Sequence, residues 1–183
     1  MMTVAPGGCP DEANVPTGAP GAISDSETVV RGVVLSAHLL DQNGTLILTP
    51  AAIREDDLAA RKGRSVSVLR EPHTSPQETT RRALALNQQQ EWQGDPVVAR
   101  ARVAELRKLL DNTNSWRLVC VNADPTTAAL DSLGACPTHG SIVRSDPKPN
   151  VKDRLSWFAA RIAVATAFNL VSHASGGPVT PIP

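Results

Sequence analysis

The sequence predicts an α+β fold, with a sheet of three to five strands covered by three to four helices mainly on one face. Three observations predict it. Short β-branched runs alternate with segments of helical period, without the strict strand–helix alternation of a doubly wound sheet. Helix starts are marked by polar caps followed by proline at Thr49-Pro50, Ser75-Pro76 and Asp95-Pro96. The stretch from Thr28 to His173, about 145 residues, is the usual size of one domain and large enough to hold its core without a disulfide or metal. The alternative is a doubly wound α/β sheet. No Gly-rich phosphate loop follows any strand, which leaves a nucleotide-binding version of it without support.

Thr28-Val-Val-Arg-Gly-Val-Val-Leu35 is a strand, with Gly32 as a possible bulge site. Gln42-Asn43-Gly44 is a turn, and Leu46–Leu48 a short returning strand. Thr49-Pro50 opens a helix that Arg61-Lys62-Gly63 closes. Ser65-Val-Ser-Val-Leu69 alternates as a strand with one buried face. Ser75-Pro76-Gln77-Glu78 is a capping box, and its helix runs to about Gln90. A further helix over Pro96–Leu110 places Ala99, Val103, Leu106 and Leu110 on one side, with Arg100 and Arg107 on the other. Trp116–Val121 and the region of Ile142 and Val143 are strands. A last helix, capped by Asn150, runs through Val151, Leu155, Phe158, Ile162 and Ala165, with Phe168 and Val171 on its flank.

Residues 1–27, with four Pro and four Gly, read as a disordered tail, and residues 174–183 read the same way. The globular domain is then residues 28–173.

The formal net charge is zero, which argues against capture of duplex DNA or an anionic membrane by bulk electrostatics. Three Trp, two Phe and no Tyr leave few rings on which single-stranded bases stack. The longest apolar stretch, Trp157–Val171, is broken by Arg161 and Asn169 and is too short to span a membrane. Cys9, Cys120 and Cys136 form no CxxC pair and no even framework, so reduced thiols and a cytoplasmic location are expected. The N-terminus has no secretory pattern. Frequent Arg and Ala fit a GC-rich bacterial genome.

His73-Thr-Ser75 and His139-Gly-Ser141 share the form His-x-Ser. Two such motifs resemble the two-histidine phosphoesterase family. The resemblance implies strands whose His73 and His139 point into one cleft as general base and general acid, with Ser141 and its counterpart holding a phosphate and no metal. That chemistry suits a cyclic phosphodiester, which opens by proton removal at one oxygen and donation at another. Pro76 departs from the pattern by ending any strand at the first motif, where Ser75 serves as a helix cap.

Arg31, Arg64, Arg70, Arg81 and Arg82, with His38 and His73, form an anion-binding patch if the first two long strands and the helix at Ser75 converge. Cys136-Pro-Thr-His139 has a C-x-x-H spacing but no second pair to complete a zinc site. Glu55-Asp56-Asp57 point in different directions around a helix and do not converge on an ion. No cofactor or metal is expected. With no complete catalytic constellation, the leading expectation is an accessory module that binds an unknown protein partner and has no chemistry of its own. The alternatives are the His/His phosphoesterase and a nucleic-acid-binding regulator using the basic side of the Pro96–Leu110 helix.

Overall fold

The computed structural model describes residues 8–34, 38–42, 45–54, 57–58, 65–89, 94–110, 116–127, 133–145 and 157–173. In chain order the elements are β1 (Thr28–Val34), β2 (Leu39–Gln42), β3 (Thr45–Leu48), β4 (Val66–Arg70), α1 (Pro76–Gln89), β5 (Pro96–Arg102), α2 (Val103–Arg107), β6 (Val119–Ala123), β7 (His139–Arg144), α3 (Trp157–Ala167) and β8 (Leu170–His173). Short 3-10 turns occupy Pro50–Ala52 and Glu71–His73.

The class is α+β. Six strands form one sheet in the order β6–β7–β4–β1–β5–β8, and β2 and β3 form a separate hairpin. Every strand pairing among the described residues is antiparallel, which removes the doubly wound alternative. The sheet has one strand more than the sequence led us to expect.

Central β1 is apolar on both sides, because each face of the sheet is covered there. Val29 and Val33 join a large cluster with Val66, Val68, Val97, Val121, Ile142, Ile53, Val164 and Phe168. Val30 faces the other way and packs with Val98 and Ala83. Helix α1 therefore lies on one face, and α3 with the Pro50–Ala52 turn on the other. Val103 and Leu106 of α2 join the same large cluster as α3, so helices occur on both faces and an arrangement mainly on one face is not confirmed. Gly32 is the contact point rather than a bulge: it stays in register opposite Val98. A Cβ there would meet the Ala83 Cα at 2.6 Å, and a helix backbone cannot yield cheaply.

Two helix expectations are overturned. Pro96–Arg102 is a strand running the full length of β1, from Thr28↔Arg102 to Val34↔Pro96. Spacings of four and three placed Ala99, Val103, Leu106 and Leu110 on a helix. The period of two in Val97, Ala99 and Ala101, all fully buried, decides instead. Pro96 is tolerated as the first residue of the strand. The final helix stops at Ala167, and Leu170–His173 pairs with β5 to close that edge. Asn169 sits at the break, a residue type that competes with helical hydrogen bonding. Of the helix expected at Thr49-Pro50, the described residues show one 3-10 turn, Pro50–Ala52, and most of the remaining length lies outside them. The cap at Ser75 holds, with Glu78 N–H donating to Ser75 Oγ at 3.1 Å.

Residues 8–27, expected as part of a tail, are mostly exposed but are anchored at a few points. Cys9 and Ile23 are buried, and Cys9 is disulfide-bonded to Cys120. The expectation of reduced thiols is thus corrected for these two cysteines, while Cys136 is free and buried. The predicted tail at 174–183 lies outside the described residues.

His38 is buried beside the end of β1, where its Nδ1 accepts the Val34 N–H at 3.0 Å. Burial, and then the charge of Arg31, lower its pKa from 6.5 to about 4. The unfolded chain therefore takes up a proton first as pH falls through this window. Stability is full above pH 6.5 and declines toward pH 4, by as much as about 3 kcal/mol. Urea unfolding at pH 7, 5.5 and 4 should show this slope. His38→Gln, which keeps an acceptor but does not titrate, should flatten it.

Candidate active site

Strands β6, β7 and β4 bring three polar side chains into one row. Register places Asn122 opposite Ser141, and Ser141 opposite Ser67. All three lie on the α1 side of the sheet, opposite the face that carries Val66, Val68 and Val121. His139 stands two residues before Ser141 on the same face. Its register partner is Leu69, so it is the diagonal neighbour of Ser67.

That diagonal is used. His139 Nε2 lies 3.1 Å from Ser67 Oγ. On the other side of the ring, Nδ1 lies 2.6 Å from the Asp124 carbonyl oxygen and 3.9 Å from Asp124 Oδ2. A carbonyl can only accept, so Nδ1 carries the proton. In the neutral ring Nε2 is then the acceptor, and the Ser67 hydroxyl donates to it. The imidazole is held in the tautomer of a general base aimed at a hydroxyl.

The backbone around Ser67 is fixed from below. Arg31, buried on the opposite face, donates from Nη1 to the Ser67 carbonyl at 3.0 Å and from Nε to the Ala52 carbonyl at 3.2 Å. Its Nη2 lies 3.6 Å from Asp57, and burial lowers its pKa against that attraction. Ser67 and His139 are half-buried, and Asp124 is exposed. The site thus sits at the surface of the sheet.

The two histidines of the phosphoesterase resemblance share no partner in the contacts described. Their turns adjoin, since Thr74 Oγ1 donates to Thr138 Oγ1 at 2.8 Å. The rings take different partners. His73 Nε2 lies 3.9 Å from Glu27, which bonds Arg70 on the Val66–Val68 side, whereas His139 turns to Ser67. Ser141 is buried in the strand row.

The described arginines of the expected basic patch are engaged within the fold. Arg70 is consumed by Glu27 and the carbonyls of Gly21 and Ala22. Arg81 and Arg82 both bind Glu78, and they reach the carbonyls of Leu133, and of Gly134 and Ala135, respectively. The hydrogen bond of Arg81, outweighing burial and joined by Arg82, lowers the Glu78 pKa to about 2. His38 is a buried acceptor for backbone, and Arg64 lies outside the described residues. The basic helix face expected over Pro96–Leu110 is likewise dispersed: Arg100 pairs with Glu71, and Arg107 with Glu12 and Asp25.

Sequence reasoning named His139 but missed Ser67 and Asp124. The available signal was the alternation of Ser65-Val66-Ser67-Val68, which puts Ser67 on the polar face. Which strand lies beside it was not readable. Among the described residues no group of three His, Cys, Asp or Glu could hold a metal ion, and no helix is long and apolar enough to cross a membrane. No family model, curated protein or solved structure matches the chain.

Proposed function

We propose that the chain is a small hydrolase acting on an ester or similarly activated acyl group through Ser67 as nucleophile. The observation that carries this reading is the two-sided bonding of His139, to the Asp124 carbonyl through Nδ1 and to the Ser67 hydroxyl through Nε2. Ser67 Oγ attacks the acyl carbonyl while its proton passes to His139 Nε2. The imidazolium gives that proton to the departing alcohol. Water then attacks the acyl-serine, His139 takes a proton from it, and the acid leaves with the Ser67 hydroxyl restored.

Incubation with a fluorophosphonate should place one covalent adduct on Ser67, seen by intact mass and peptide mapping. Ser67→Ala should remove it. Failure of the folded wild-type chain to label would reject the nucleophile.

A second reading, a module that binds a protein partner without chemistry, is favoured by Phe158 and Ile162. They stand one turn apart on α3, 51% and 43% exposed. For location, the Cys9–Cys120 disulfide supports an oxidising compartment over the cytoplasm.

A further inference from the structure

β6 is the terminal strand of the sheet and pairs only with β7 among the described strands. Its outer edge carries N–H groups that an added strand would take. The N-terminal arm takes one of them, the Val121 N–H. Glu12, 6% exposed, accepts the Val121 N–H with Oε1 at 2.8 Å. The same carboxylate pairs with Arg117 and, at 3.3 Å, with Arg107. At the start of the strand, Leu118 N–H is taken separately by the Leu109 carbonyl at 2.8 Å.

Two fastenings hold the arm, one at each end. Near Glu12 the Cys9–Cys120 bond joins it to β6 itself. Further along, Ile23 is buried in the core cluster, and Arg70 binds the carbonyls of Gly21 and Ala22. Between them lie Pro16, Gly18 and Pro20, with Gly18 at φ +90° and no close neighbour for an added Cβ. Cutting the first fastening leaves residues 9–12 held through the Glu12 carboxylate and leaves the second intact.

We propose that the β6 edge is a docking site for an acidic extended peptide, kept shut by residues 9–12 and opened by a dithiol reductant. The site reads a carboxylate through the Val121 N–H, Arg117 and Arg107, the contacts Glu12 makes in the closed state. In the opening step a thiolate of the reductant attacks one sulfur of the Cys9–Cys120 bond and forms a mixed disulfide. Its second thiol then displaces the protein sulfur. Two electrons and two protons arrive on Cys9 and Cys120 as two thiols, and the reductant leaves as a cyclic disulfide. Both sulfurs are buried, so exchange waits on opening of the arm and is slow. Once reduced, Glu12 competes for the edge only as a tethered carboxylate. The proposal is independent of Ser67.

The test uses the full chain, oxidised and after dithiol treatment. Hydrogen exchange should show Val121 protected in the oxidised chain and exchanging rapidly in the reduced one, with β1 and β5 amides unchanged. A synthetic peptide of residues 8–15 carrying Cys9→Ser should then bind the reduced chain, not the oxidised one. Binding should be lost in Arg117→Ala and when Glu12 of the peptide is replaced by Gln. Full-length Cys9→Ser, or Cys120→Ser should the first misfold, should bind it without reductant. Unchanged Val121 protection after both cysteines are shown to be thiols overturns the latch. An opened edge that ignores the peptide, or equal binding by the Glu12→Gln peptide, overturns the docking site.

Discussion

Replacing His139 with alanine is expected to lower turnover of a short-chain ester by about two to four orders of magnitude, the usual contribution of a positioned general base. The rate of Ser67 labelling should fall with it, because without Nε2 the hydroxyl has no acceptor for its proton. A purely structural role predicts something else. His139 also ties β7 to the turn after β6 through the Asp124 carbonyl, so its loss should lower the unfolding midpoint modestly. His139→Gln separates the two roles. Glutamine can satisfy Ser67 or the carbonyl yet cannot accept a proton at neutral pH. Stability should recover in this variant while turnover and labelling stay at the alanine level. Asp124→Ala should cost much less than His139→Ala, because the group that fixes the tautomer is the backbone carbonyl, which the substitution keeps. Equal turnover in wild type and His139→Ala would end the enzyme reading, and a partner search from the α3 surface would take its place.

The sequence carried local features well and long-range ones poorly. The cap at Ser75, the strand at Thr28–Val34 and the strand at His139–Arg144 follow from turn chemistry and β-branched runs, which neighbours in sequence decide. Pro96–Arg102 was misread because Ala and Arg spacing fits a helix as well as a strand, and only the pairing with β1 distinguishes them. The anchors of the arm at residues 8–27 are not legible, because its composition is that of a tail. What orders it lies elsewhere in the chain: Cys120, Arg70, Arg107 and Arg117. The site shows the same division. His139 was legible as a reactive residue type followed by an apolar strand. Ser67 comes from another strand, 72 residues away, and Asp124 from the turn after β6, 15 residues away, and no local pattern joins them to it. The arginines predicted to gather around an anion instead satisfy carbonyls and carboxylates from inside the fold, which composition alone cannot distinguish.

Arg70→Met is expected to be the most damaging single substitution in the sheet. Arg70 is 1% exposed and donates to both oxygens of Glu27, at 2.8 and 2.7 Å. Burial pushes the Glu27 pKa up, but the Arg70 hydrogen bond, the Ser24 amide and the charges of Arg70 and His73 together hold it below its ordinary value. Removing the guanidinium strands a buried carboxylate, a loss of about 3–5 kcal/mol. For a chain of this size that is a fall of roughly 10 °C in the unfolding midpoint. The depressed pKa fixes the sign with pH. The contribution of Glu27 is full above its unfolded pKa and disappears as pH falls through its lower folded value, so wild type and Arg70→Met should converge in acid. Adding Glu27→Gln to Arg70→Met should recover part of the loss, since the stranded charge is gone. A double variant no better than Arg70→Met would assign the damage to the carbonyls of Gly21 and Ala22, which Arg70 also holds, and so to the anchoring of the arm rather than to the buried charge.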